Sequence, residues 1–156
     1  MSAEEVEELY SLLVPLDEAR LIVPRACVAE VVGYTKPQPL ADAPPWLAGS
    51  IEWNGRQLPV VSFEVAAGYP SPVQAGRTRV VVFNAITGEL KPPYFGLLTQ
   101  GFPQLVRVNP DVLATDDEDF PDDSPIVCRI RMLNEYPLIP DLERLEQMIV
   151  AALRRG

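Results

Sequence analysis

The chain has 156 residues, of which 47% are hydrophobic and 22% charged, and its formal net charge is −9 at pH 7. This length and composition predict one folded domain with a substantial core. The excess of acidic side chains argues against nucleic-acid binding, which depends on clustered Lys and Arg. No apolar run reaches the ~18 to 20 residues of a spanning helix, and the N-terminus lacks the basic start of a signal peptide. We therefore expect a cytoplasmic protein with no membrane insertion.

Histidine is absent, and the chain has two cysteines, Cys27 and Cys128. The lack of histidine removes the commonest general base and the usual transition-metal ligand. Too few soft ligands remain for zinc, and a cytosolic setting favours two buried thiols over a disulfide. No glycine-rich loop with phosphate-binding spacing is present. The sequence thus predicts no catalytic residues, no metal and no cofactor.

In chain order, prolines and glycines divide the sequence into short segments, as is typical of β-rich proteins. Residues 10–16 and 20–24 predict a first hairpin. Residues 25–32 predict a short turn or helix that carries Val28 and Val31 inward.

A second hairpin is predicted at Asn54-Gly55, because a type I′ turn needs φ > 0 at both central residues. Its strands would pair residues 51–53 with residues 56–58. Before it, the proline-rich residues 35–45 predict an extended strap, since each Pro restricts itself and its predecessor.

After this hairpin, residues 63–68 predict one helical turn that ends at Gly68. Strands are then predicted over 79–83, 94–99, 105–108 and 126–131. The first of them is almost continuously apolar, which predicts a strand that is covered on both faces or lies at a barrel core.

The last predicted element is a helix with one apolar stripe. The stripe consists of Leu142, Leu145, Met148, Ile149, Ala152 and Leu153. Packing of this stripe on the domain itself is favoured, and docking on a partner is the alternative.

One segment is rich in carboxylates: Asp116, Asp117, Glu118, Asp119, Asp122 and Asp123. It lacks the alternating spacing and central glycine of an EF-hand loop. A glycosidase would need two carboxylates at fixed separation across a cleft, and no second carboxylate is positioned here. A solvated acidic loop is favoured, and a carboxylate-dependent hydrolase is kept as an alternative.

Three blocks of the sequence resemble CheW-like chemotaxis coupling domains. The first is Pro24 followed by Val28-Ala29-Glu30-Val31, and the second is Pro44-Pro45-Trp46-Leu47-Ala48-Gly49. The third surrounds the second hairpin and matches the family at Gly49, Ile51, Gly55, Pro59 and Val60. Because the three blocks occur in the family's order and spacing, the resemblance is specific, and it extends over nearly the whole chain.

The resemblance implies a mainly β fold of two side-by-side five-stranded SH3-like barrels with a C-terminal helix. Residues 1–156 would then form a single CheW-like domain. Its first subdomain would hold about residues 20–78, and its second about residues 79–145 plus the N-terminal strand 10–16. The C-terminal helix would span about residues 140–154.

The resemblance also implies a non-enzymatic adaptor that couples chemoreceptors to a CheA-type histidine kinase in chemotaxis or type IV pilus (twitching) signal transduction. Its partners would be the regulatory domain of the kinase and the cytoplasmic tip of a methyl-accepting chemoreceptor. The predicted partner-binding residues are Val28, Glu30, Val31, Gly49, Ile51, Trp53, Asn54, Gly55, Arg56, Pro59 and Val60.

The partner-facing positions depart from the family pattern. The family's Asn-Leu-Arg before the hairpin glycine is Glu52-Trp53-Asn54 here, and its Asp after Pro-Val-x is Ser62. The arginine expected to pair with the glutamate of the first block is therefore missing, and Arg56 lies two residues later. A matching scaffold with divergent partner positions suggests a divergent chemosensory system, such as one controlling type IV pili. A pilus-regulatory adaptor without kinase binding is the alternative, and Trp53 is predicted either at an interface or in the core.

Overall fold

A computed structural model describes residues 9–108, 113–115, 119–132 and 135–155. The described chain is mainly β with one long helix, as the sequence predicts. Its strands are β1 (Leu9–Pro15), β2 (Arg20–Pro24), β3 (Val28–Gly33), β4 (Leu47–Trp53), β5 (Arg56–Val61), β6 (Arg79–Asn84), β7 (Tyr94–Thr99), β8 (Gln104–Val108), β9 (Leu113–Thr115), β10 (Ile126–Met132) and β11 (Leu138–Pro140). Its helices are α1 (Phe63–Ala66) and α2 (Leu142–Arg155), and a 3₁₀ turn spans Arg25–Cys27.

The strands of the described chain form two sheets. One has five strands in the order β3-β6-β7-β5-β4, and the other has six in the order β8-β1-β2-β11-β10-β9. The expected pair of SH3-like β units with a C-terminal helix is confirmed, with the difference that one sheet has six strands rather than five.

The sheets divide the chain differently from the expected boundary near residue 78. Strands β6 and β7 pair with β3 and β5, so the five-stranded sheet continues to Thr99. Strand β2 pairs with β1 and β11 and therefore belongs to the other sheet. The parallel pair β5–β7 brings Gly96 opposite Val60, where a Cβ on Gly96 would lie 2.7 Å from Val80 Cγ1. Such non-local pairing leaves no trace in local composition.

Both predicted hairpins are confirmed. Strands β1 and β2 pair antiparallel, and β4 pairs with β5 in the register Trp53↔Arg56. Asn54 and Gly55 have φ of 51° and 78°, as a turn with two positive φ values requires. The extended strap lies along β4, where the backbones of Gln38 and Ser50 exchange hydrogen bonds of 2.8 and 2.9 Å.

The prediction of a turn or helix over residues 25–32 is wrong beyond Cys27, because β3 begins at Val28. Pairing with β6 stabilises this extended segment, and no local signal shows that pairing. The predicted helical turn is present as α1, and Gly68 follows it with φ of 91°.

The main core lies between the two sheets and α2. It includes Val81 and Phe83 of β6, whereas Val80 and Val82 face a second cluster on the other side of the same strand. Of the two predicted settings of this strand, coverage on both faces is therefore confirmed.

Helix α2 packs its stripe against the domain, as favoured from the sequence. Leu145 and Ile149 have no exposed surface and Ala152 is buried, while Leu153, at the end of the stripe, is 39% exposed. The helix is therefore part of the main core.

Candidate protein-binding surface

The two edge strands of the five-stranded sheet are joined by side chains. Trp53, at the end of β4, donates its Nε1–H to Glu30 Oε1 on β3 at 3.1 Å. These strands lie at opposite ends of the sheet order, so the bond shows that the sheet curls until its edges approach. A hydrogen bond to a carboxylate is among the stronger ones in proteins. Glu30 thus pairs with an indole here.

The indole is also held by an aromatic neighbour. Its ring contacts Tyr94 edge-on, with ring centroids 4.9 Å apart and planes at 61°. Both rings are partly buried against the second cluster, which contains Ile51 and Val60. An aromatic pair of this geometry contributes about 0.5–1.5 kcal/mol beyond its buried area. Trp53 therefore combines the two expected settings, since part of the ring packs on the core and part remains accessible.

The tip of the hairpin is exposed. Asn54, Gly55 and Arg56 all lie in solvent. Within the part of the chain that the structure describes, Arg56 has no ion-pair partner, and Glu30 bonds Trp53 instead. The tip therefore presents an amide and a guanidinium beside a fixed indole.

The predicted partner-binding residues divide by exposure. Those exposed are Glu30, Asn54, Gly55 and Arg56; those partly buried are Val28, Val31 and Trp53; those buried are Gly49, Ile51, Pro59 and Val60.

The buried residues of this set hold the sheet together. A partner could contact them only if the sheet opened. Ile51 and Val60 lie in the second cluster, with 6% and 0% of their surface exposed. Gly49 has φ of 144°, and a Cβ there would lie 2.2 Å from the carbonyl oxygen of Gln38. These residues match the family because they maintain the fold of the domain. These residues and Pro59, which is also buried, therefore lie outside the candidate surface.

Two buried carboxylates were missed by sequence reasoning. Glu146 of α2 is fully buried, and its oxygens accept hydrogen bonds from the Ile86 and Thr87 amides at 2.7 and 3.0 Å and from the Thr87 hydroxyl at 2.8 Å. This carboxylate ties the β6–β7 connection to the helix. Its only sequence signal is a charged residue next to the apolar stripe.

The second missed carboxylate is Glu64 of α1, which is 3% exposed. Its Oε2 accepts the backbone N–H of Asp17 at 3.0 Å. Burial raises the pKa of the Glu64 carboxyl and the nearby Asp17 charge adds to this, while hydrogen bonds from the backbone amides of Asp17 and Glu64 itself oppose it.

The acidic segment is only partly described. Asp116, Asp117 and Glu118 lie outside the described residues, and Asp119 is exposed, as are Asp122 and Asp123. Among the described residues, no three or more Asp, Glu or Cys side chains are grouped so as to hold a metal ion.

Both cysteines are free and partly buried. Burial raises the pKa of the Cys27 thiol. None of the helices in the described ranges is both long and apolar enough to cross a bilayer.

The fold thus consists of two adjoining β units that share a core, and the candidate surface is a hairpin tip of exposed polar groups beside a fixed indole. A sequence model of the CheW-like domain matches residues 11–148. The chain therefore belongs to the CheW-like domain family, whose members are scaffolds of chemotaxis signalling and not enzymes.

The structure resembles that of the scaffolding protein TtCheW from Thermoanaerobacter tengcongensis, with a TM-score of 0.75 at 15% sequence identity. The similarity covers 88% of this chain and 92% of that chain. At this identity it establishes the fold alone. Comparison with curated protein sequences finds no match.

Proposed function

We propose that this protein is a cytoplasmic adaptor that couples the cytoplasmic tip of a methyl-accepting chemoreceptor to the regulatory domain of a CheA-type histidine kinase. The observation that carries the proposal is the family match over residues 11–148 on a fold of the same kind. The hairpin tip is the surface that we assign to partner recognition, with Glu30, Trp53, Asn54 and Arg56 as its exposed or partly exposed polar and aromatic groups.

Rigidity supports this assignment. The indole of Trp53 is held by Glu30 on one strand and by Tyr94 on another, so little side-chain entropy remains to be lost on binding. Tryptophan and arginine are enriched among the residues that dominate binding energy at interfaces. Individual contacts in such a scaffold can be weak, because an array of linked partners multiplies their effect.

A second candidate is an adaptor of a type IV pilus system that has lost kinase binding. The observation that favours it is the hairpin itself, where Asn54 occupies the position of the family arginine and an indole takes the partnership with Glu30. A kinase surface that requires a guanidinium at this position would not recognise an amide in the same way.

The test is titration of variants against a purified kinase regulatory domain and a purified receptor-tip fragment, with thermal melts in parallel. Trp53→Ala removes the ring, and truncation of an interface tryptophan typically costs more than about 2 kcal/mol of binding. We expect at least tenfold weaker capture of a partner. Trp53→Phe keeps an aromatic ring near Tyr94 but releases Glu30, so we expect a smaller loss.

Trp46→Phe is the matched control, since Trp46 is also partly buried but packs against the main core instead of the hairpin. It should not change capture. A folded Trp53→Ala protein that binds both fragments as tightly as the parent would exclude the hairpin tip as the recognition surface.

Asn54→Arg separates the two candidates. If the kinase surface requires the family arginine, this variant should bind the kinase domain more tightly than the parent, because a guanidinium can pair with Glu30 or with an acidic partner group. Some loss of thermal stability is expected, since Asn54 has φ of 51° and Asn tolerates positive φ better than Arg. Binding of the parent to the receptor tip but not to the kinase domain would favour the pilus-type adaptor.

A further inference from the structure

The first residue of β6, Arg79, carries a guanidinium that is held in place by three contacts. Its Nη1 donates to the carbonyl oxygens of Gly76 at 2.9 Å and of Thr78 at 2.8 Å. The same guanidinium lies over the ring of Phe102, with its Cζ 4.6 Å from the ring centroid. A side chain that is already fixed loses little further conformational entropy when it binds a ligand.

One edge of this guanidinium remains available. Nη1 carries two hydrogens and makes two bonds, whereas Nε and Nη2 make no hydrogen bond to the described residues. Neither of these two nitrogens is both buried and unpaired, so both are in contact with solvent. The hydrogens on Nε and Nη2 form the fork with which arginine binds a carboxylate through two parallel hydrogen bonds.

The segments around Arg79 contain no carboxylate of their own. The strand neighbours of Arg79 are Gly33 on β3 and Thr99 on β7. The three segments to which these residues belong have no Asp or Glu over residues 31–41, 65–88 and 90–110. The net charge of −9 therefore comes from other parts of the chain. An external anion meets less repulsion at this end of the sheet than the net charge suggests.

The aromatic ring beside the guanidinium is open to a partner. Phe102 is 64% exposed, and Leu105 on the following strand β8 is 51% exposed. Burial of apolar surface contributes about 25 cal/mol per Å². A ligand that carries an apolar group next to its carboxylate thus gains from the ring as well as from the fork. A phosphate ion offers charge alone and makes no use of the ring.

We propose that Arg79 and Phe102 form a docking site for a protein segment in which an acidic side chain is flanked by apolar ones. The Arg79 Nε and Nη2 donate to the carboxylate, and an apolar side chain of the segment covers the Phe102 ring. This site lies at the opposite end of β6 from Asn84, which pairs with the Tyr94 that contacts Trp53. At about 3.4 Å per residue the two sites are roughly 17 Å apart, so the proposal does not depend on what the hairpin binds.

The test uses N-acetyl-Leu-Glu-Leu amide as a probe and N-acetyl-Leu-Gln-Leu amide as a neutral control of the same shape. Binding to the parent chain is followed by the NMR signals of the arginine Nε–H groups and of the Phe102 ring. We expect saturable shifts at Arg79 and Phe102 with the acidic peptide and none with the neutral one. Equal binding of the two peptides, or equal shifts at Arg56, Arg77 and Arg79, would overturn the proposal.

Two variants and a matched control then localise the interaction. Arg79→Lys keeps the positive charge but loses the fork, and we expect at least about fivefold weaker binding of the acidic peptide. Phe102→Leu removes an exposed ring without emptying the core, and it should also weaken binding. Arg77 is exposed and lies two residues before Arg79, so Arg77→Lys should bind like the parent. Unchanged affinity in either Arg79→Lys or Phe102→Leu would contradict the assignment.

Two further measurements distinguish this occupant from others. Inorganic phosphate should bind more weakly than the acidic peptide, and tighter binding of phosphate would refute the assignment to a carboxylate. Sedimentation of the parent chain should show no association that depends on Arg79. Association that Arg79→Lys abolishes would show that a second copy of this chain, and not another protein, occupies the site.

Discussion

Truncation of Leu145 tests whether the C-terminal helix belongs to the core or serves a partner. Leu145 has no exposed surface and lies in the main core with Ile149 and Leu138. Leu145→Ala removes three carbon groups, and at about 0.8 kcal/mol each the lost transfer free energy alone is about 2.4 kcal/mol. A residual cavity raises the cost, so we expect the free energy of unfolding to fall by about 2–5 kcal/mol.

Such a loss is readily measured. For a chain of this size, each kcal/mol lowers the melting temperature by about 2–4 °C, so the expected shift is about 4–20 °C. In urea, at an m-value of about 2 kcal/mol/M, the midpoint should fall by about 1–2.5 M. Alanine has the higher intrinsic helix propensity, so the loss cannot come from the helix itself.

Leu153→Ala is the matched control on the same stripe. Leu153 is 39% exposed, and we expect less than half of the effect of Leu145→Ala. An unchanged urea midpoint for Leu145→Ala, together with lost complex formation, would refute the core assignment and indicate that the stripe docks on a partner.

Two further predictions concern backbone and charge. Gly49→Ala should lower the free energy of unfolding in urea by more than about 1 kcal/mol, because the new Cβ would meet the Gln38 carbonyl. Gly33→Ala is the control and should cost little, since a Cβ there has nothing within 4 Å. Equal effects of the two changes would contradict the close approach at Gly49. The raised pKa of Glu64 means that the protonated carboxyl is more favoured in the folded than in the unfolded state. This contribution to stability is therefore fully present below the usual value of 4.5 and is lost as pH rises through the raised pKa. Unfolding free energies of the parent and of Glu64→Gln, measured from pH 4 to pH 8, should therefore shift in favour of the variant as pH rises. A constant difference would show that the burial of Glu64 has no such effect.

Several local elements follow from residues that are neighbours along the chain. The hairpin at Asn54-Gly55 was predictable because few residues tolerate two successive positive φ values. Helix α2 was predictable because its stripe repeats at helical spacing, although Val150 is also buried and lies outside the predicted stripe. The family blocks predicted the fold class, since they mark the turns and close approaches of the scaffold.

The tertiary structure alone decided the partner of Glu30. Trp53 lies 23 residues from Glu30, and the two are on strands at opposite ends of one sheet, so no local pattern could show that they meet. The same applies to the surface assignment of the hairpin region. The sequence predicted Ile51 and Val60 as partner contacts because they match the family, but curling of the sheet buries both.

The buried carboxylates show the same limit most clearly. In the sequence, Glu64 and Glu146 are charged residues on predicted helical segments and do not differ from solvated ones. In the fold, Glu146 is fully buried with both oxygens bonded, and Glu64 is almost fully buried with its Oε2 bonded to the Asp17 N–H. Turn and helix signals depend on neighbours along the chain and are written in the sequence, whereas burial, hydrogen-bond partners and pKa depend on segments that only tertiary packing brings together.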